Sequence, residues 1–361
     1  MSYLRIFIFL VIFSFFIKVK ASNSYETFVN TKKWTEIEEL GFWLFADKRL
    51  SGNNKISCMN CHQPSRGWSD GREKAIGFKG EILALRTPTI IGLELQEEFG
   101  HSFFWDGRVG DLYSQALMPI VNPNEMNQNL DELIIELSDM EMYKNKFHKA
   151  FGTEVISLDR IAQAIVAFER TLKSPSRNLK EEAIVKNENV VEFLNSTSNL
   201  LPSMNYVNIG HVSDGKKLFN KHCGICHQSS TNLSDGNFHD IGLVTEDIGR
   251  AKVFESNKKD FSYRLNQFKH KTPTLWGVAQ RAGPYMHNGS KKSLRDVLEH
   301  YNNGGSFKTK NDRKKRLNTL SPLIRKLNLT NEELDVLEQF ITEEFHMDFE
   351  AYPLPDFLQE I

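Results

Sequence analysis

Cys58-Met59-Asn60-Cys61-His62 and Cys223-Gly224-Ile225-Cys226-His227 repeat one pattern, C-x-x-C-H. Two thiols three residues apart reach the two vinyl groups of a single porphyrin, and the histidine that follows lies beneath the iron. The pattern is therefore the attachment signature of a c-type haem. The two motifs consume all four cysteines of the 361-residue chain. A zinc knuckle or a thioredoxin-like redox pair leaves the histidine after each pair unexplained, and the latter also expects a βαβ setting. The expectation is two covalently bound haems c, with His62 and His227 as proximal iron ligands.

Composition agrees with a folded protein: 40% of residues are hydrophobic, and 26 Phe and 5 Trp supply core material, which excludes disorder. With 45 Lys+Arg against 46 Asp+Glu the net charge is −1, so a basic nucleic-acid binder is excluded. Met1 to Ala21 reads as an export signal: Arg5, then an apolar stretch from Ile6 to Ile17, then small residues around Val19-Lys20-Ala21. Such a stretch spans about 18 Å as a helix, too short for a bilayer core. Export to the periplasm is expected, where bacteria attach haem covalently, with no stable membrane insertion after cleavage.

Between and beyond the motifs the periodicity is helical. Leu133, Ile134, Leu137 and Met140 share one face, as do Ile161, Ile165, Phe168 and Leu172. Thr330-Asn331-Glu332-Glu333 is a capping box ahead of Leu334, Leu337, Ile341 and Phe345. Ser293 to Tyr301 places Leu294, Val297, Leu298 and Tyr301 on one face and stops at Asn302-Asn303-Gly304-Gly305. No strand alternation of useful length appears, so the fold class is mainly α.

Ser174 to Ser213, rich in Asn, Ser and charge with Pro175 and Pro202 as breakers, separates two halves. The division is a signal peptide 1–21, an N-terminal haem domain 22–178 and a C-terminal haem domain 179–361, each cytochrome-c-like. A helix is expected around Val190 to Leu194, and the tail Tyr352 to Ile361 is expected to be a strap that packs back. The halves echo each other: helix, Cys/His motif, loop, then Thr87-Pro88-Thr89 or Thr272-Pro273-Thr274.

No His or Met follows His62 before His101, which leaves the first iron with an open face for small oxidants. His101, His211, His222, His239 and His270 belong to no motif and are expected in loops or at the surface. Asn311 to Arg316 reads as a solvated face.

Further stretches carry a resemblance. Phe104-Trp105-Asp106-Gly107-Arg108 is followed by Gln115, Pro119 and Asn122-Pro123-Asn124-Glu125-Met126. Leu44-Phe45, Leu50-Ser51, Gly67-Trp68-Ser69-Asp70-Gly71, Ala167-Phe168-Glu169-Arg170-Thr171-Leu172 and Gly283-Pro284-Tyr285-Met286-His287-Asn288-Gly289 complete the set. Over nearly all of the mature chain the sequence resembles the bacterial di-haem cytochrome c peroxidase and MauG family.

The resemblance implies that Trp105 relays electrons between the haems and that Gln115 and Glu125 line a distal peroxide pocket. A carboxylate there moves a proton between the two peroxide oxygens, and an amide holds the bound oxygen species. Tyr301, fourteen residues after His287, falls where the family places the sixth ligand of the second haem, Met in peroxidases and Tyr in MauG-like proteins. Met286 is the alternative ligand, with Tyr301 as a packed core residue. A phenolate lowers a haem potential where a thioether raises it.

The lack of a displaceable distal His on the first haem looks MauG-like and implies no need for reductive activation. Calcium is usual in the family, held partly by an Asn just before the first triplet. Arg86 stands there, so that site is expected to be weakened or lost even with the Ala282 and Pro284 carbonyls at hand. The implied activity is reduction of hydrogen peroxide at the first haem, with electrons relayed through the second from a small cytochrome c or copper protein. The alternatives are a MauG-like oxidase that modifies residues of a partner protein, and a non-catalytic di-haem electron carrier.

Overall fold

Residues 34–175, 209–281 and 283–347 are described by a computed structural model, with 209–213 described through their backbone alone. The signal peptide, the Val190 to Leu194 helix, the 178/179 boundary, the Ala282 carbonyl and the Tyr352 to Ile361 strap lie outside these residues. In chain order the helices are α1 (Glu36–Ala46), α2 (Cys58–Cys61), α3 (Leu93–Glu98), α4 (Leu112–Val121), α5 (Leu130–Ser138), α6 (Glu141–Phe151) and α7 (Leu158–Glu169). They continue as α8 (Ile209–His222), α9 (Phe261–Leu265), α10 (Leu294–Asn302), α11 (Lys310–Lys315) and α12 (Asn331–Glu344). Among the described residues the one sheet is a two-residue antiparallel pairing of β1 (Phe238–His239) with β2 (His270–Lys271). The mainly helical expectation is met.

Local sequence explains most helix limits. α1 opens in a capping box between Thr35 and Glu38, and α12 in the expected one between Thr330 and Glu333, each satisfying two backbone N–H groups that have no partner in the helix. Ser293 caps α10, which ends at Asn302; Gly304, at φ +68°, then turns the chain through the left-handed region. α5 buries Leu133 and Leu137 but stops at Ser138. Met140 is therefore the N-cap of α6 and not part of that face.

Each half is built around one close helix crossing. In the first, α7 turns Ile161, Ile165 and Phe168 inward against α1, with Leu172 just beyond, and all four are at most 2% exposed. Phe168 meets Phe42 and Phe45 at ring distances of 5.6 and 5.0 Å. In the second, Phe219 of α8 packs against Phe340 and Phe345, at 5.6 and 5.0 Å, where α12 ends. A glycine permits each approach: a Cβ on Gly41 would stand 1.9 Å from the carbonyl oxygen of Ala164, and one on Gly215 would stand 2.5 Å from Cβ of Phe340. Buried aromatics of this size contribute roughly 2–3 kcal/mol each. The two crossings hold the segments that follow α1 and α8, which carry the Cys/His motifs.

Candidate active site

The two motifs are set by the same local architecture. Nδ1 of His62 lies 3.0 Å from the carbonyl oxygen of Trp68, and Nδ1 of His227 lies 2.8 Å from that of Leu233. A carbonyl can only accept, so each Nδ1 carries the proton and each Nε2 keeps its lone pair for a metal. Burial lowers both imidazole pKa values and keeps the rings neutral. The loops close identically: Trp68 N–H donates to Gln63 and Leu233 N–H to Gln228, both at 2.9 Å, with Trp68 and Leu233 at φ +58° and +53°. Ser69 Oγ then donates to the Thr87 carbonyl at 2.8 Å and Ser234 Oγ to the Thr272 carbonyl at 2.6 Å, tying each loop to its Thr-Pro-Thr triplet.

All four cysteines are unbridged. Burial pushes Cys61 up to about 11 and Cys223 up to about 12, the reverse of the depressed thiol that a thioredoxin-like redox pair requires. One connected cavity of about 750 Å³ is walled by both cysteine pairs and both histidines. Trp105, Gln115, Glu125, Tyr301 and Met286 line it too, so every site residue expected from the sequence reaches the same cavity.

In the first chamber Gln115 projects from α4, and Glu125 from the turn after it. Asn122 Nδ2 donates to Glu125 Oε1 at 2.9 Å. Burial raises the Glu125 carboxyl above its ordinary range, against the pull of Arg108 and Asn122. Glu169, at the end of α7, is 2% exposed, and burial lifts it to about 8 in spite of the Gln115 amide, which donates to it, and of nearby Arg170. Gln115 Oε1 and Glu169 Oε2 are buried without a partner. Sequence reading assigned Glu169 no role. Its signal was position, four residues after Ile165 on the apolar face of α7.

The halves meet at Trp105. Its indole Nε1 donates to the Arg86 carbonyl at 2.8 Å, its own carbonyl accepts from Lys271 N–H at 2.8 Å, and its ring stands 6.3 Å from that of His287. His287 stacks on His270 at 3.5 Å, and His270 Nε2 faces Asp247 Oδ1 at 2.9 Å.

His270 corrects an expectation: it is 5% exposed, because the β1/β2 pairing turns it inward onto Asp247 and His287. His239 is half-buried, with Nε2 2.9 Å from Asp235 Oδ2 and 3.8 Å from Cys226 Sγ. The hydrogen bond to Asp235 raises its pKa to about 9. His222 borders the cavity, and His101 is partly exposed.

In the second chamber α10 presents Tyr301. Burial, reinforced by the neighbouring Cys223 and Cys226, raises its phenol, so a phenolate at this position requires a cation beside it. His300 pins the same end of α10 through Ser306 Oγ at 2.7 Å and the Ile241 carbonyl at 2.9 Å.

A haem fits these walls. Arg86 is buried, with Nε and Nη2 unpartnered. Burial, with Arg86 nearby, pulls Arg281 down to about 9. Lys271 Nζ bonds only the neutral oxygens of Gln96 and Ser102 among the described residues, and burial lowers it to about 7. Buried cations without carboxylate partners are costly, and propionates are the anions such a cavity lacks. No described helix is long and apolar enough to cross a membrane.

Comparison with known proteins gives the chain its family. A family profile described as di-haem cytochrome c peroxidase matches residues 35–185. The methylamine utilization protein MauG of Methylorubrum extorquens is 36% identical over 270 residues, which is 74% of this chain and 68% of that one. Cytochrome c551 peroxidase of Nitrosomonas europaea is 30% identical over 275 residues, 74% of this chain and 73% of its own. The crystal structure of a MauG-like protein associated with microbial copper homeostasis shares the fold, with a TM-score of 0.69 at 24% identity over 91% of this chain and 94% of that one. The chain is thus of the di-haem class of oxidoreductases. It belongs to the di-haem cytochrome c peroxidase and MauG family.

Proposed function

We propose that the chain is an exported, periplasmic di-haem c-type peroxidase. Its two cytochrome-c-like halves carry one haem each, through Cys58, Cys61 and His62 and through Cys223, Cys226 and His227. Hydrogen peroxide is reduced at the first haem with electrons relayed through the second, and the donor is a small periplasmic cytochrome c or copper protein. The observation that carries this reading is Glu125, a half-buried carboxyl with a raised pKa in the wall of the first chamber beside Gln115. Residues 63–100 hold no His or Met to close the iron's other face.

When bound, the haem supplies the electrons and the iron at which the peroxide O–O bond breaks. Glu125 takes the proton from the inner peroxide oxygen and returns it to the outer one. Asn122 holds its Oε1, which leaves Oε2 for that transfer, and a carboxyl pKa raised toward the working pH suits the task. Gln115, held by Glu169, offers its unpartnered Oε1 to the peroxide O–H. Trp105 bridges the two chambers. Tyr301 would supply a ligand to the iron of the second haem, a reading supported by its closeness to Cys223 and Cys226 and preferred over Met286. Arg86 takes the sequence position of the Asn that helps hold calcium in the family, which argues for a calcium site that is weakened or lost.

Tyr301 also favours a second reading, a MauG-like oxidase that draws its electrons from residues of a partner protein. One experiment separates the two: stoichiometric hydrogen peroxide is added to the fully oxidised protein without reductant, and both haem spectra are followed. A peroxidase shows a change at the first haem that a reduced cytochrome c reverses catalytically. A lasting change at both haems that small donors discharge poorly marks the MauG-like oxidase. No reaction in either the oxidised or the half-reduced protein leaves an electron carrier and overturns the proposal.

A further inference from the structure

The segment 308–326, which lines the cavity through Ser321, Leu323, Ile324 and Arg325, carries eight cations against the single anion Asp312, a net charge of +7 in a chain of net charge −1. Two of the eight serve the fold: Arg316 pairs with Asp240 at 2.6 Å, and Arg313 donates to the carbonyls of Gly304 and Ile324. The other six, Lys308, Lys310, Lys314, Lys315, Arg325 and Lys326, are exposed, and no ion pair joins them to a described residue. Gathering six exposed like charges in one short segment adds self-repulsion and nothing to the core. Surfaces that serve solubility alone interleave the two signs.

The same segment reaches the second Cys/His motif. Leu323 and Ile324 line the cavity, and Ser321 Oγ lies 3.4 Å from Nδ1 of His239, whose Nε2 is 3.8 Å from Cys226 Sγ. Between the two cysteines Ile225 is 57% exposed, and Leu323 is 40% exposed. Exposed apolar side chains beside a strongly basic segment suit a transient encounter surface, where the charge steers the partner and the apolar side chains seat it.

We propose that segment 308–326, with Ile225 and Leu323 at its apolar centre, is the docking face for an acidic redox protein that exchanges electrons with the second haem. The proposal rests on the reading of the His227 motif as the electron port.

The test uses the holoprotein and two strong reductants of opposite charge: a reduced plant-type [2Fe–2S] ferredoxin, which is acidic, and the methyl viologen radical cation. Stopped-flow spectra resolve which haem is reduced. In the wild type, ferredoxin reduction of the second haem slows at least tenfold between low and physiological ionic strength. In the variant Lys310→Glu, Lys314→Glu, Lys326→Glu it slows at least tenfold at low ionic strength, while reduction by methyl viologen does not slow. The substituted side chains are exposed, and an unchanged circular dichroism spectrum verifies the fold. Equal ferredoxin rates in variant and wild type would overturn the docking face. First reduction at the His62 haem by both reductants, at every salt concentration, would instead remove the electron port and the docking face with it.

Discussion

Trp105 donates its indole N–H to the carbonyl of Arg86 across 2.8 Å, and the amide of the same Arg86 donates to the carbonyl of His287 across 2.8 Å. One residue of the first half thus orients the indole and anchors the Gly283 to Gly289 loop of the second. The indole is fixed from its backbone as well, through the Lys271 amide.

Trp105→Phe keeps an aromatic ring but strands the Arg86 carbonyl, at a cost of about 1–3 kcal/mol. The expected outcome is a lower thermal midpoint, unchanged haem content and electron transfer between the haems slowed by more than tenfold. The measurement is the lag between the first-haem and second-haem spectral changes after peroxide is added. An unaltered lag would take the relay role away from Trp105.

Tyr301 and Met286 both border the second chamber, and substitution separates them. Tyr301→Phe is expected to abolish the six-coordinate low-spin signature of the second haem, and Tyr301→Met to restore six-coordination at a higher reduction potential. Electron paramagnetic resonance and a redox titration read both. A Phe variant with the wild-type spectrum would hand the ligand position to Met286.

What could be read ahead of the fold follows how local each signal is. The haem motifs are contiguous, and α7, α10 and α12 declare themselves through period and caps that lie within one or two turns. Glu169 escaped because a lone carboxylate on an apolar helix face looks like a break in the pattern; only packing of α7 against α4 shows that Gln115 is its partner. His270 escaped for a related reason. Its burial depends on a two-residue strand pairing and on Asp247, far upstream, and no local pattern encodes either. The Trp105, Arg86 and His287 seam joins residues from both halves, so the motifs were legible one by one while their junction was not.

Glu125→Gln preserves shape and the contact with Asn122 but removes the proton carrier. Peroxide cleavage is expected to slow by about 10²–10⁴-fold at normal haem content. Glu125 must be ionised to accept the first proton, so the wild-type rate falls as the pH drops through its pKa. Burial places that limb above the ordinary carboxylate value of 4.5. The variant should lose the limb together with the rate. A variant that keeps both would show that another group moves the proton.

Glu169 makes a prediction about stability. Its carboxyl holds a proton up to about pH 8 in the fold and releases it near 4.5 when exposed, so the folded state binds the extra proton between those values. Stability contributed by this group is complete below about pH 4.5 and is lost as the pH rises toward 8. At pH 7 the loss is about 3 kcal/mol, because the proton is retained roughly 2.5 pH units above the group's ordinary value.

Glu169→Gln removes the titration and still offers Gln115 an acceptor oxygen. Its melting temperature should therefore be flat between pH 5 and 8 where that of the wild type declines, with the two converging near pH 4. Peroxide reactivity should survive in this variant and fall in Glu169→Ala, which leaves the Gln115 amide without its partner. Parallel pH dependence of the two melting curves would mean that Glu169 is ionised in the fold, and that Gln115 is held by a charge and not by a buried acid.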